Sequence, residues 1–263
     1  MVIDGKAIAI DILESVATEV TKLSRAPRMD AVTCAPNFET KKYLQMKKQK
    51  ATSVGIVLKV TELSVDSTTE DIIRCVKTIA KESDGIVIQL PLPNHINREK
   101  VLAEIPVTKD PDGFYYGSSD LALMPPVVGA IDEISRREKI DWIGKQVVIM
   151  GMGRLVGIPA TQYAKQAGAI VSVLTKDTYD ENILSKADIV VSGIGQPHFI
   201  KPENIKEGVV IFDAGTSEEG GVLMGDVDPR VASKASLLTP VPGGIGPITI
   251  AYLLRNLVEL VRQ

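Results

Sequence analysis

The 263-residue sequence has little of what staples a chain or binds metal: two cysteines, Cys34 and Cys75, and two histidines, His95 and His198. The cysteines stand in unrelated segments and the histidines are not at metal-ligand spacing, so neither a disulfide framework nor a zinc site is supported, and no metal is expected. An excess of charge of one sign is also lacking. Lysine and arginine number 30 against 33 acidic residues, a formal charge of −3, which offers no field for nucleic acid or an anionic membrane. No apolar run is long enough to span a bilayer, and the opening MVIDGKAIAIDILESV is interrupted by Asp4, Lys6 and Asp11, unlike a signal-peptide core. A cytoplasmic location is the expectation. Internal repeats and low-complexity tracts are absent as well.

What is present is material for a core. A hydrophobic content of 44% with 24% charged residues describes an ordinary globular protein of one large domain or two modest ones. Ile8, Ile12, Val16, Val20 and Leu23 fall at helical spacing and predict an amphipathic helix over 5–24. Strand and helix then alternate: strand 29–34, a Pro36-Asn37 turn, a lysine-rich helix over 39–51, strand 55–60, helix 66–82 and strand 85–90. The last is an apolar β-branched run of the kind buried on both faces of a parallel sheet. Pro91, Pro93, Pro106, Pro111, Pro125 and Pro126 then punctuate a region with one helix at most, 98–104, and set a domain boundary near residue 120. Helix 128–137, strand 146–150, helix 156–166 and strands 170–174, 189–192 and 209–212 follow, with a closing helix over 247–262 expected to pack back on the first domain. The expected fold class is α/β, in two domains: residues 1–120 with 247–263, and residues 121–246.

Four patterns carry chemistry. The segment 239–249, T-P-V-P-G-G-I-G-P-I-T, holds three glycines and three prolines, a stiff loop whose main chain can touch a ligand or simply make a tight connection. Gly151-Met152-Gly153-Arg154-Leu155-Val156-Gly157 follows the strand V-V-I-M and opens a helix, the context of a dinucleotide fingerprint, although its spacing is G-x-G-x-x-x-G. At the end of the next strand, where NAD enzymes place a carboxylate on the ribose, the chain reads Thr175-Lys176-Asp177. Lys176 and Thr175 suit a 2′-phosphate and favour NADP, with Arg154 placed to assist; Asp177 keeps NAD open. Finally, Tyr43 and Lys47 are four apart and share a helix face, although a lysine-rich helix is usually a solvated one. Gln89 ends a buried strand at the sheet edge where α/β folds bind ligands, and Asp112 stands before Gly113 in what is either a site or a plain turn.

Read in order, Y-x-x-x-K at 43–47, Q-L-P-L-P at 89–93, K-D-x-D-G at 109–113, G-x-x-x-x-V-G-x-P at 151–159, A-D-I-V-V at 187–191, G-D-V at 225–227 and T-P-V-P-G-G-I-G-P at 239–247 resemble the methylenetetrahydrofolate dehydrogenase/cyclohydrolase family over nearly the whole chain. The resemblance implies an N-terminal catalytic domain and a Rossmann-type doubly wound nucleotide domain, with folate bound in the cleft between them, and a homodimer formed through the nucleotide domain. It implies oxidation of 5,10-methylenetetrahydrofolate with NADP and hydrolysis of the methenyl product to 10-formyltetrahydrofolate, in one-carbon metabolism and purine biosynthesis. Asp112 would pair with pterin donors, Tyr43 would flank the ring and orient Lys47, and Gln89 would hold Lys47 and the attacking water. Lys47 would drive hydrolysis, as a base or as a proton donor. Pro91, Pro242, Gly243, Gly244 and Pro247 would line the folate. Gly151, Gly153, Arg154, Leu155, Val156, Thr175, Lys176, Ile194, Gly195 and Gly215 would hold the coenzyme. Met152-Gly153 stands where the family usually has Arg-Ser, and Lys176 is the candidate to compensate.

Two other readings fit the same build: a nicotinamide-dependent dehydrogenase acting on a shikimate-like or amino-acid substrate, and a silent nucleotide sensor. Lys47, Gln89 and Asp112 together argue against the sensor.

Overall fold

Parallel pairing dominates the architecture, as the buried β-branched runs require. A computed structural model describes residues 1–219 and 222–263. In chain order the elements are α1 (Gly5–Val20), β1 (Arg28–Cys34), α2 (Phe38–Ser53), β2 (Val57–Leu63), α3 (Thr69–Ile79), β3 (Gly85–Ile88), α4 (Arg98–Leu102) and α5 (Pro126–Arg137). They continue with β4 (Gln146–Met150), α6 (Gly157–Gln166), β5 (Ile170–Leu174), α7 (Glu181–Leu184), β6 (Ile189–Ser192), β7 (Val210–Asp213), β8 (Ser217–Glu219), β9 (Val222–Met224), β10 (Leu237–Leu238) and α8 (Ile245–Arg262). The chain divides into two compact units, one of Ile10–Pro126 with Ile250–Gln263, the other of Met1–Ala9 with Val127–Thr249.

The first unit is built on a parallel sheet in the order β2-β1-β3. Val32, Ile72, Val76, Ile86, Ile88, Val101 and Leu102 form one buried cluster that cements β1 and β3 to α3 and α4. Burying each such side chain contributes about 1.5–3 kcal/mol, an upper figure because the unfolded chain already hides some of this surface. Local signals start the helices. The Asn37 side chain accepts from the Thr40 N–H to open α2, and Thr68 and Asp71 form a reciprocal capping box at α3.

The second unit carries a five-stranded, all-parallel sheet in the order β10-β7-β6-β4-β5. From β4 the chain moves outward to β5 and then returns to the other side of β4 for β6, so the topological switch point lies at the carboxyl ends of β4 and β6. Doubly wound sheets bind their ligands at that point. Trp142 packs edge-on to Tyr163 at 5.2 Å and stacks on Phe212 at 5.9 Å, its indole N–H donating to Ser135 Oγ at 3.1 Å.

Several element boundaries differ from the sequence reading. The first helix ends at Val20, and α8 begins at Ile245 with Pro247 inside its first turn, where a missing N–H costs nothing. The short α7 and β10 and the antiparallel pair β8 and β9 carry no periodicity long enough to read. Met1–Ala9 groups with the second unit because Val2 bridges to Leu238, with Ile3 N–H donating to Leu238 O at 3.0 Å and Leu238 N–H to Met1 O at 2.9 Å.

Candidate functional site

Five lysines lie on α2, and Lys47 is the buried one, at 7% exposure, while Lys41, Lys42, Lys48 and Lys50 are exposed. Thr40, Leu44 and Ala51 are buried with it, which defines the inward stripe of the helix. The Lys47 ammonium donates to Gln89 Oε1 at 3.0 Å and stands 4.8 Å from the centre of the Tyr43 ring. Gln89 is itself held: its N–H donates to Val32 O at 2.8 Å and its side-chain amide to Leu90 O at 2.9 Å, which turns the carbonyl toward Lys47. Pro91 follows at the same strand end, after a cis Leu90–Pro91 bond.

Asp112 sits in a turn fixed from several sides. Lys109 Nζ donates to Ala80 O at 2.6 Å and Ser83 O at 2.7 Å, tying the turn to the end of α3. Asp110, 1% exposed, accepts from Gly113 N–H at 3.0 Å and Phe114 N–H at 2.5 Å. Asn256 on α8 donates to Pro111 O at 2.9 Å and Met124 O at 2.8 Å. Gly113 has φ +69°, and a Cβ there would lie 2.5 Å from Leu123 O, so only glycine fits. Burial pushes the Asp112 carboxyl above its ordinary range, and the Lys47 charge acts in the opposite direction. Tyr43, Lys47, Gln89 and Asp112 therefore make one constellation within the first unit.

The residues expected to hold a coenzyme lie on successive loops at the carboxyl edge of the second unit's sheet. Gly151, Gly153, Arg154, Leu155 and Val156 connect β4 to α6, Thr175 and Lys176 follow β5, Ile194 and Gly195 follow β6, and Gly215 follows β7. At two positions the backbone here has no room for a side chain. A Cβ on Gly157 would lie 2.1 Å from Gly151 O and one on Gly193 2.7 Å from Val156 Cβ, whereas the space beside Gly153 is open. Such a bare, close-packed turn at a switch point fits a dinucleotide pyrophosphate. Lys176 is exposed, and Thr175 is fixed by Thr178, whose Oγ1 accepts from the Thr175 N–H at 3.0 Å.

The loop after β10 holds Pro242, Gly243 and Gly244. Gly5 N–H donates to Gly243 O at 2.9 Å, and a Cβ on Gly5 would fall 1.8 Å from Gly244 O. Pro247 lies in α8. These four residues belong to the second unit. Sequence reasoning gave no role to Asp110 or to the buried pair Asp213 and Asp226, although K-D-x-D-G and G-D-V contain Asp110 and Asp226. Among the described residues, no group of three His, Cys, Asp or Glu is placed to hold a metal ion, and no helix is long and apolar enough to cross a membrane.

A doubly wound nucleotide-binding unit paired with an α/β unit that buries a lysine beside a neutral amide defines the class. Comparison with known families makes it specific. The model of the tetrahydrofolate dehydrogenase/cyclohydrolase catalytic domain matches residues 3–112, and that of the family's NAD(P)-binding domain matches residues 125–263. The chain belongs to the tetrahydrofolate dehydrogenase/cyclohydrolase family. It is 34% identical over 281 residues to the bifunctional protein FolD of Mycoplasmopsis synoviae, covering 99% of each chain. Among solved structures, the bifunctional FolD of Campylobacter jejuni has a TM-score of 0.95 at 31% identity, covering 100% of this chain and 98% of the other. The Trypanosoma brucei enzyme, solved with NADP cofactor and inhibitor, has a TM-score of 0.92 at 32% identity, covering 100% and 97%.

Proposed function

We propose that this protein is a bifunctional enzyme that oxidises 5,10-methylenetetrahydrofolate to the 5,10-methenyl cation with NADP and hydrolyses that cation to 10-formyltetrahydrofolate. The observation that carries the reading is the buried Lys47 ammonium on the neutral Gln89 carbonyl, beside Tyr43 and within the field of Asp112. A carboxylate partner would lock the lysine as a salt bridge; an amide positions it and leaves its proton available.

In the hydrolysis step, water adds to the one-carbon bridge of the methenyl cation and loses a proton. One C–N bond then breaks to leave the formyl group on the other nitrogen. Lys47 handles the protons of this sequence at Nζ, with Gln89 aligning it, and Tyr43 covers the ring face. The Asp112 carboxylate accepts from pterin N–H donors on a turn too constrained to move away.

The coenzyme would be held by the loops after β4, β5, β6 and β7, with Lys176 toward the 2′-phosphate. When bound, NADP supplies the hydride acceptor for the first step. The same reading carries a cytoplasmic homodimer that serves purine biosynthesis.

The test is turnover by the purified chain. Methylenetetrahydrofolate with NADP should yield NADPH and 10-formyltetrahydrofolate in equal amounts. Nicotinamide binding without turnover of any folate would instead favour a dehydrogenase for another small substrate.

A further inference from the structure

The G-D-V motif at 225–227 centres on Asp226. Asp226 is fully buried at 0% exposure and lies in the second unit, yet its carboxylate does not serve its own segment. Oδ2 accepts from Ser192 Oγ at 2.6 Å and from Ile194 N–H at 2.8 Å, and Oδ1 accepts from Gln196 N–H at 2.8 Å. All of these donors belong to the end of β6 and the loop that leaves it. Asp226 is fixed in turn by Asp213, 2% exposed, whose Oδ1 accepts from Asp226 N–H at 3.2 Å and Gly215 N–H at 3.0 Å and whose Oδ2 accepts from Val227 N–H at 3.0 Å. Glycine is required around both carboxyls. A Cβ on Gly215 would fall 2.0 Å from Asp226 Cγ, and one on Gly225 would fall 2.1 Å from Asp213 Oδ2.

The loop held this way is one wall of the switch point. Ile194 Cγ2 lies 3.1 Å from where a Gly151 Cβ would stand, so Gly193 and Ile194 pack directly against the glycine turn after β4. Burying a carboxylate without a cation is costly, and it is tolerated where several donors converge on it. Two of the three donors are main-chain N–H groups of this loop, in which Gly195 is exposed at φ +66°.

We propose that Asp226 is a positioning residue for the coenzyme: by gathering the Ser192, Ile194 and Gln196 donors onto one carboxylate it shapes the β6 loop into a binding wall for the nicotinamide dinucleotide, with Asp213 as its support. The inference rests on the proposed function, which supplies the coenzyme and also a step that needs none. Methenyl hydrolysis by the first unit is therefore the internal control.

The experiment measures NADP binding to the purified protein by titration calorimetry, with no folate present, alongside coenzyme-free hydrolysis of methenyltetrahydrofolate. Asp226→Ala should weaken NADP about 100-fold and Asp226→Asn, which can keep only part of the set, about tenfold. Ser192→Ala, which removes one donor and leaves the carboxylate in place, should weaken NADP about threefold and serves if the Asp226 variants fail to fold. Hydrolysis should stay within about twofold of the parent throughout. Unchanged NADP affinity in the folded variants, or hydrolysis falling in step with affinity, overturns the inference. Failure of the unsubstituted protein to bind NADP or to hydrolyse the methenyl compound would mark the functional reading itself as wrong, and the inference would fall with it.

Discussion

Lys47 Nζ lies 3.0 Å from Gln89 Oε1, and no carboxylate takes that place. The choice of an amide is open to direct test. Gln89→Glu would set a negative charge against the ammonium and hold its proton more tightly. Methenyl hydrolysis should slow by about 10- to 100-fold and its pH profile should move upward, as measured by initial rates across pH. An unchanged profile would mean that Gln89 does not orient the reacting amine.

Asp112 is held by a turn with its own scaffolding, so its replacement should be local. Asp112→Asn should raise the KM for methylenetetrahydrofolate by about tenfold or more, the loss of a charge-assisted hydrogen bond, and leave NADP affinity as it was. Steady-state kinetics with calorimetric NADP binding would check it.

The resemblance between sequence and structure is uneven for physical reasons. β4, β5 and β6 were legible to the residue, because each is a short β-branched run between polar turns; the parallel sheet buries β4 and β6, while β5 lies at its edge with Ile170 exposed. β10 has two residues and exists through its pairing with β7 and the bridge from Val2, which no local pattern announces. On α2 the lysines look alike in sequence. What separates Lys47 is its place in the stripe Thr40, Leu44, Lys47, Ala51, a helical period with a charge where an apolar residue is due. Asp226 was harder to read: its partners lie 30 to 34 residues away along the chain, and only the fold brings them together.

Lys176 should discriminate between coenzymes. It is exposed at the end of β5, so its contribution is that of a solvated charge: Lys176→Ala should weaken NADP several-fold, about 1 kcal/mol, and leave NAD unaffected. Paired binding isotherms for the two coenzymes would decide; equal losses would place the side chain away from the 2′-phosphate.

Two buried carboxyls give the protein an unusual pH dependence. Asp110 and Asp213 are each pushed up from 3.8 to about 7, first by burial and then by the neighbouring charge of Asp112 or Asp226. A raised folded-state pKa stabilises fully below the unfolded value and is lost as pH rises through the folded one. Stability should therefore fall between about pH 4 and pH 7, by something on the order of a few kcal/mol, while Asp228, held near 2 by Arg230, acts only at lower pH. Calorimetric Tm should be lower at pH 8 than at pH 5, with a shallower slope in Asp213→Asn. A Tm that climbs over this interval would contradict the burial argument.

In the proposed reaction Lys47 moves protons during hydrolysis and has no part in hydride transfer. Lys47→Met keeps the length and the burial of the side chain and removes the amine, so the two half-reactions measured on the same preparation separate the roles. Methenyl hydrolysis should drop by at least about 100-fold while NADP-dependent oxidation of methylenetetrahydrofolate continues at a measurable rate. Parallel loss of both, with the protein still folded, would contradict it and make Lys47 a substrate-binding residue only.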